Sequence, residues 1–217
     1  MRLCASLRPV ADMSKAVIIC AGSIEDYSSA RAEIGDEDFV ICADGGLRHA
    51  AKMGVSPNVI VGDFDSYGAV PEGENVVVFP CEKDYSDTYM AALEAEKRGY
   101  KELLFLGATG TRLDHVMANL ALLEVLRRRG TRAAIKDGHN LIFAAGNRET
   151  VAGKAGTTVS LLPIYPVKGI TLRGFKYPLN NAEIELVDPI WISNELLGGE
   201  AEISFESGAL LVDIAND

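Results

Sequence analysis

Cysteine is scarce in this sequence, and its spacing excludes the usual cysteine-based sites. The four cysteines (Cys4, Cys20, Cys42 and Cys81) form no C-x-x-C pair and show no zinc-binding spacing. Cys20 and Cys42 lie in apolar, strand-like runs, where cysteine generally serves as a small hydrophobic residue. We therefore interpret the cysteines as reduced thiols and expect a cytoplasmic protein.

Long hydrophobic runs are also lacking. No stretch approaches the roughly 20 apolar residues that a membrane-spanning helix needs, so we predict no membrane partner. At the N-terminus, Arg8 and Asp12 interrupt any apolar core, which argues against a signal peptide. Met13 is an alternative start of the chain.

Basic residues are outnumbered. The chain has 21 Lys and Arg against 31 Asp and Glu, a formal net charge of −10. Such a surface repels phosphate backbones, so the composition argues against nucleic-acid binding as the main task. An anionic substrate must therefore be met by a local basic group or by a metal ion.

What the sequence does contain is an alternation of short apolar runs and helical patterns up to residue 147. The runs predict strands at 16–20, 39–43, 59–61, 76–79, 102–106, 132–136 and 141–145. Helices are predicted at 24–34, around 49–53, at 87–98, and from 113 to about 130. The last helix is expected to bury Leu113, Val116, Met117, Leu120 and Leu123 on one face. Continuous apolar strands between helices are typical of a mostly parallel sheet flanked by helices.

The pattern changes after residue 147. Segments 157–164, 167–173, 201–206 and 209–214 read as β-strands separated by Gly, Pro and Asn, with no helical period. We predict an α/β fold with two domains. Residues 1–147 are predicted to form an α/β domain, and residues 148–217 a small all-β, sandwich-like domain of antiparallel strands.

Four segments carry polar residues where ligands bind in α/β sheets, at the carboxyl ends of strands. They are ADGG (43–46), GDFDS (62–66), KDYSDT (83–88) and GATGTRLDH (107–115), and each contains an aspartate. Helix capping by Asp84 with Asp87, or by Thr111 with Asp114, explains single segments. All four together favour a functional site.

The acidic segments predict a metal site. Two carboxylates about 4 Å apart repel by roughly 4 kcal/mol at an effective dielectric of 20, so a cluster needs a counter-charge. Oxygen-only ligands from Asp63, Asp65, Asp84 and Asp87 suit Mg²⁺ rather than zinc or copper. Both one ion and two ions are consistent with four aspartates.

GATGTRLDH has the form of a phosphate-binding loop. Gly107 and Gly110 let backbone amides face a ligand, and the following helix directs its positive end there. It is not a Walker loop, because no Lys follows the second glycine. Arg112 is instead the predicted charge-assisted partner, with Lys83 as a second candidate. His115 is expected to pack or cap locally.

In this order, ADGG, PNVIVGDFDS (57–66), KDYSDT and TGTRLDH (109–115) resemble the bacterial-type thiamine pyrophosphokinase family. The resemblance runs from about residue 17 to 212, and WISNE (191–195) is similar to the family's Ser-Asn segment. It implies transfer of a pyrophosphoryl group from ATP to the hydroxyl of thiamine, giving thiamine diphosphate and AMP. It also implies a homodimer whose sites lie between the α/β domain of one subunit and the β domain of the other.

The resemblance assigns roles residue by residue. The family's acidic residues correspond to Asp63, Asp65, Asp84 and Asp87, which with Arg112 are the predicted catalytic residues. The predicted nucleotide- and substrate-binding residues are Asp44, Lys83, Gly107, Thr109, Gly110, Arg112, Asp114, Trp191, Ser193 and Asn194. Trp191 is predicted either to stack on a thiamine ring, with roughly 0.5–2 kcal/mol of cation–π energy, or to pack within the β domain.

Three other functions fit parts of the pattern. Asp63-x-Asp65 after a strand is also found in magnesium-dependent phosphohydrolases, although those place the pair near the first strand. A pyrophosphokinase acting on another alcohol, such as a hydroxymethyl-pterin, would use similar acidic motifs. A regulatory module would bind ATP without turning it over.

Overall fold

The chain folds into two compact units. The structure, a computed structural model, describes residues 15–63, 75–78 and 85–216. The described residues divide into units 15–138 and 139–216. Three predicted site residues, Asp65, Lys83 and Asp84, lie outside the described residues.

The first unit is built on a parallel sheet. Its strands are β1 (Ala16–Ile19), β2 (Phe39–Ala43), β3 (Val59–Gly62), β4 (Val76–Val78), β5 (Glu102–Leu106) and β6 (Arg132–Lys136). They lie in the order β4-β3-β2-β1-β5-β6, and every neighbouring pair is parallel. The central strand β1 is wholly buried, which its continuous apolar run predicts. The strand order reverses between β1 and β5, the point at which α/β sheets bind ligands.

Four helices of the described part cover this sheet: α1 (Tyr27–Ala32), α2 (Gly46–Met53), α3 (Asp87–Lys97) and α4 (Leu113–Arg128). α2 and α3 contact β1 and β2, whereas α4 packs on β6. α1 is shorter than the predicted 24–34. It begins late because the Asp26 carboxylate accepts hydrogen bonds from the backbone amides of Ser28 and Ser29, which fixes the helix start.

The buried face of α4 differs from the prediction. Leu113 and Met117 are 71% and 54% exposed. The buried positions are Asn119, Leu122, Leu123, Glu124 and Leu126. The prediction was wrong for Leu113 and Met117, because the buried residues of α4 all lie in its later turns, and it is confirmed for Leu123. Glu124 is buried with its charge paired by Arg127 and Arg128, each at 2.7 Å.

The second unit is antiparallel. Its strands are β7 (Asn140–Ala144), β8 (Arg148–Gly153), β9 (Thr158–Arg173), β10 (Ala182–Ile184), β11 (Asn194–Glu195), β12 (Gly199–Ser204) and β13 (Ser207–Ala215). They follow the order β7-β13-β9-β12-β8, with β10 and β11 also paired to β9. A short 3₁₀ helix, Pro189–Trp191, precedes β11. A parallel α/β unit followed by a β-rich unit confirms the predicted fold class.

Two details of the second unit differ from the sequence pattern. Strands predicted at 157–164 and 167–173 are one continuous strand, β9. Pro163 and Pro166 suggested a break because proline cannot donate to a ladder, but irregular register opposite them, around Ala209, accommodates both. The division between units lies at Gly138 and His139 rather than near 147, because β7 pairs with β13.

No helix among the described residues is long and apolar enough to cross a membrane.

Candidate active site at the carboxyl edge of the parallel sheet

A cleft of about 430 Å³ lies at the carboxyl ends of β1, β2 and β5. It is within the first unit, at the point where the strand order reverses. The starts of α3 and α4 form its other sides. Its lining includes Gly22, Asp44, Asp87, Thr109, Gly110 and Arg112. Two of the predicted segments, ADGG and GATGTRLDH, therefore meet here, together with the described end of a third, KDYSDT.

The loop after β1 lines the cleft with residues 20–23. Pairing between β1 and β5 continues beyond the strands, because the amides of Cys20, Gly22 and Ser23 donate to the carbonyls of Leu106, Gly107 and Thr109 at 2.7–2.8 Å. A Cβ on Gly22 would overlap the Thr109 carbonyl oxygen and lie 2.5 Å from that of Gly107. Only glycine fits at this position.

Close packing also requires glycine at the second glycine position of ADGG. A Cβ on Gly46 would overlap the carbonyl oxygen of Ile19, and one on Gly45 would lie 3.0 Å from Cβ of Ala21. The start of α2 thus packs directly on the loop after β1. At this edge the loop after β1 therefore lies between the turn after β2 and the loop after β5 and contacts both.

One buried and two half-buried polar side chains hold the loop after β5. The Asn119 amide, 8% exposed, donates to the carbonyl oxygen of Ala108 at 2.7 Å. The Thr109 hydroxyl donates to the carboxylate of Asp137 at 3.0 Å. Gly107 takes a positive φ of 65°, where a Cβ would lie 2.9 Å from the carbonyl oxygen of Cys20. The loop therefore has a fixed shape rather than that of a mobile turn.

Predicted acidic residues gather along the same edge. Asp44 follows β2 with a positive φ of 42°, a conformation that is uncommon outside glycine, and its amide donates to the Val61 carbonyl at 2.7 Å. Its Cα lies 3.3 Å from the position that a Cβ on Gly62 would occupy, and Asp63 is the next residue. Asp87 is the first residue of α3 and lines the cleft with Asp44.

Helix capping was the alternative explanation for the polar residues at the starts of α3 and α4, and the structure does not support it for Asp87. The cap of α3 is Ser86, whose hydroxyl accepts from the amide of Tyr89 at 3.3 Å, so Asp87 is not the capping residue. α4 is preceded by Arg112, which makes no side-chain cap. Within residues 15–63, 75–78 and 85–216, no three Asp, Glu, His or Cys side chains form a metal-binding group. The predicted four-aspartate set includes Asp65 and Asp84, outside those ranges.

Arg112 and Asp114 form an ion pair at the cleft. The guanidinium donates two hydrogen bonds to the carboxylate, at 2.6 and 3.3 Å, and the side chains are 70% and 64% exposed. This hydrogen bonding lowers the pKa of Asp114 and raises that of Arg112. Ion pairs this exposed contribute little to stability, so exchanging Asp114 for another anion costs the fold little. His115, one residue on, also lines the cleft.

The three predicted residues of the second unit have distinct environments. Trp191 is half-buried, and its indole N–H donates to the carbonyl of Leu186 at 3.2 Å. Ser193 is exposed and takes a positive φ of 54°. Asn194 is 5% exposed, and its amide donates to the carbonyl of Tyr177 at 2.7 Å while its oxygen accepts from the Tyr177 amide at 3.0 Å. The Asn194 side chain thus holds two backbone segments together.

Sequence reasoning missed part of the cleft. Gly22 and Ser23 line it, His49 contacts Gly22, and Asn119 and Asp137 fix the loop after β5. The signal for the first two was available, since AGS follows the first apolar strand as ADGG follows the second. Asn119 and Asp137 gave no signal, because each lies within or after an ordinary helix or strand pattern.

Comparisons with known proteins agree with this architecture. Family models described as "Thiamin pyrophosphokinase, catalytic domain" and "Thiamin pyrophosphokinase, vitamin B1 binding domain" match residues 30–135 and 148–210. Thiamine pyrophosphokinase of Bacillus subtilis (strain 168) is 30% identical over 216 residues, covering 94% of this chain and 100% of the relative.

Solved structures give the same result. The crystal structure of thiamine pyrophosphokinase from Bacillus subtilis superposes with a TM-score of 0.81 at 25% identity, covering 94% of this chain and 100% of that one. That of thiamin pyrophosphokinase from Geobacillus thermodenitrificans gives 0.78 at 28% identity, covering 94% and 98%. The chain belongs to the thiamin pyrophosphokinase family.

Proposed function

We propose that this chain performs its family's reaction in the cleft at the ends of β1 and β5. The enzyme transfers a pyrophosphoryl group from ATP to the hydroxyl of thiamine, giving thiamine diphosphate and AMP. One observation supports this location. Three loops at strand ends pack on one another where the strand order of the parallel sheet reverses, and glycine contacts and hydrogen bonds hold them there.

The phosphates of ATP are proposed to bind the loop after β5 and the start of α4. The first amides of a helix lack partners within it, and a 16-residue helix directs a positive dipole end toward the cleft. Thr109 and Gly110 shape the loop, and Arg112 exchanges its exposed partner Asp114 for phosphate oxygens. Lys83 is proposed as a second cation.

Magnesium is proposed to bind Asp63, Asp65, Asp84 and Asp87. The aspartates among the described residues fit an oxygen-ligated ion. Asp63 follows β3, and Asp87 is the first residue of α3, at the edge of the sheet that also carries Asp44. When bound, the ion neutralises charge on the ATP phosphates. Asp44 belongs to the same acidic edge and is proposed to contact the substrates.

Group transfer needs alignment and a proton acceptor rather than a covalent enzyme intermediate. The hydroxyl oxygen of thiamine attacks the β-phosphorus of ATP, the bond from that phosphorus to the α–β bridging oxygen breaks, and AMP leaves with that oxygen. An aspartate of the acidic edge orients the alcohol or takes its proton. Arg112 holds the transferring group as charge shifts onto AMP.

The second unit is proposed to contact thiamine and to mediate dimerisation. Trp191 and Ser193 offer a half-buried indole and an exposed hydroxyl, whereas Asn194 supports this segment from inside. We also propose a homodimer with shared sites, in the cytoplasm. Light scattering that finds a fully active monomer contradicts the shared-site arrangement.

The product identity tests the reaction. The purified chain is incubated with ATP, Mg²⁺ and thiamine, and we expect AMP and thiamine diphosphate in equal amounts, with neither product formed when thiamine or Mg²⁺ is omitted. ADP with thiamine monophosphate would indicate a simple kinase. Orthophosphate released from monoesters without ATP would indicate a phosphohydrolase. AMP formed only with a hydroxymethyl-pterin would change the acceptor, and ATP binding without turnover would indicate a regulatory module.

Asp65→Asn tests the metal assignment. Removing a carboxylate charge from the magnesium site is expected to lower turnover by at least about 10²-fold, since metal stabilisation contributes several kcal/mol. Asp36→Asn is the matched control, because Asp36 is an exposed aspartate that precedes the amino end of β2, away from the carboxyl ends of the strands, and the change should leave turnover unchanged. Near wild-type turnover of Asp65→Asn removes that residue from the metal site.

A further inference from the structure

We propose that His49 is a positioning residue that holds the loop after β1 in the shape required for nucleotide binding. The inference rests on the proposed function of the cleft. It concerns a histidine in α2 that does not itself line the cleft.

The imidazole of His49 links two elements through both ring nitrogens. Nε2 lies 2.8 Å from the carbonyl oxygen of Gly22, and Nδ1 lies 2.8 Å from the Tyr27 hydroxyl. A carbonyl oxygen only accepts, so Nε2 carries the proton and donates to Gly22. In the neutral ring Nδ1 is then the acceptor, and the Tyr27 hydroxyl donates to it.

Lys52 completes the arrangement. Its ammonium donates to the Tyr27 oxygen at 3.2 Å and lies 5.1 Å from the centre of the Tyr27 ring. Hydrogen bonds therefore run in one direction, from Lys52 through Tyr27 and His49 to Gly22. Because each donor has one matching acceptor, the orientation of the imidazole is fixed.

The contacted atom is at the centre of the proposed site. Gly22 lines the cleft; its amide donates to the carbonyl of Gly107, and its carbonyl accepts from His49. The peptide on either side of Gly22 is thus anchored both to α2 and to the loop after β5. Without His49, only the contacts to the loop after β5 and the packing on α2 restrain it. Loss of the imidazole is therefore expected to weaken ATP binding through Gly22.

A merely structural role predicts a different result. His49 also ties α1 to α2 through Tyr27, so its removal lowers Tm under either interpretation. Only the positioning role predicts that ATP affinity changes while the KM for thiamine stays constant. It also predicts rescue by a side chain that retains a donor near Nε2.

The test compares four variants by two measurements. Binding of α,β-methylene-ATP with Mg²⁺ is measured by calorimetry, because this analogue cannot transfer its pyrophosphoryl group, and KM values are measured by AMP formation. His49→Ala is expected to weaken analogue binding about tenfold, the equivalent of one net hydrogen bond. His49→Gln, whose amide reaches the Nε2 position, should stay within about threefold of wild type. His49→Asn, whose amide is too short, should resemble His49→Ala.

Tyr27→Phe serves as the control for the link to α1. It leaves the His49–Gly22 contact and should weaken binding by less than about threefold. If His49→Ala does not fold, the comparison of Gln with Asn gives the same test.

The proposal is overturned if His49→Ala and His49→Asn bind the analogue as wild type does and lose only Tm. It is equally overturned if the Gln variant is as defective as Ala. Failure of the proposed function has a separate signature: the wild-type protein would form no AMP from thiamine and ATP, whatever the variants bind.

Discussion

Gly22→Ala is the most specific steric perturbation that the cleft offers. The added methyl group would overlap the Thr109 carbonyl oxygen and lie 2.5 Å from the Gly107 carbonyl oxygen, whereas ordinary contacts lie at 3.4–4 Å. Both obstacles are backbone atoms, which cannot rotate away as a flexible side chain does. The loops after β1 and β5 must therefore separate by roughly 1 Å.

That separation has a cost that follows from the structure. Forced overpacking costs about 1–3 kcal/mol. Losing one of the two bonds from the amides of Gly22 and Ser23 to the carbonyls of Gly107 and Thr109 adds about 1 kcal/mol. We expect a total destabilisation of about 2–4 kcal/mol, and a fall in Tm of about 4–16 °C.

Activity is expected to fall with stability, because the displaced atoms belong to the proposed phosphate site. The assay is thermal unfolding followed by circular dichroism, with KM for ATP measured well below Tm. Gly138→Ala is the matched control, since a Cβ there meets no atom within 4 Å and Gly138 has no positive φ. A Gly22→Ala variant with the Tm and the KM for ATP of wild type would refute the reasoning.

Two further predictions concern buried side chains. Asn194→Ala should lower stability by about 1–3 kcal/mol in denaturant unfolding, because it removes the two hydrogen bonds that this buried side chain makes to the backbone of Tyr177. Ser193→Ala should stay within about 0.5 kcal/mol of wild type, and equal stability of both variants would contradict this role. Burial raises the thiol pKa values of Cys20 and Cys42 to about 12. Iodoacetamide at pH 8 should therefore leave both thiols unmodified in the folded protein and modify both after denaturation, which peptide mass spectrometry measures. Labelling of either thiol in the folded protein would show that its strand end is open to solvent.

The parallel sheet was predictable because buried strands leave a direct signature. β1, β2 and β5 are covered on both faces, so nearly every residue is apolar, and their bounds match the predicted runs within a residue. Aspartates at strand ends were recognisable for the same reason, because they interrupt an apolar run abruptly. The position of the cleft then follows from the strand order.

Other features depend on tertiary context that local sequence does not carry. Leu113 and Met117 were assigned to one helical face with the core residue Leu123, yet they are exposed because the buried residues of α4 all lie in its later turns. The need for glycine at Gly22 comes from carbonyl groups more than 80 residues away in the chain. β9 continues through Pro163 because its partner strand changes register there, which is a property of the pair.

The central claim is that the nucleotide's phosphates and a divalent ion meet at the carboxyl edge of the first unit. A crystal structure with α,β-methylene-ATP, thiamine and Mn²⁺ in place of Mg²⁺ tests it most directly, because Mn²⁺ is located by its anomalous signal. We predict Mn²⁺ bound to carboxylates that include Asp63 and Asp87, with phosphates against Thr109 and Gly110. Mn²⁺ and triphosphate bound elsewhere, with this cleft filled only by water, would contradict the account.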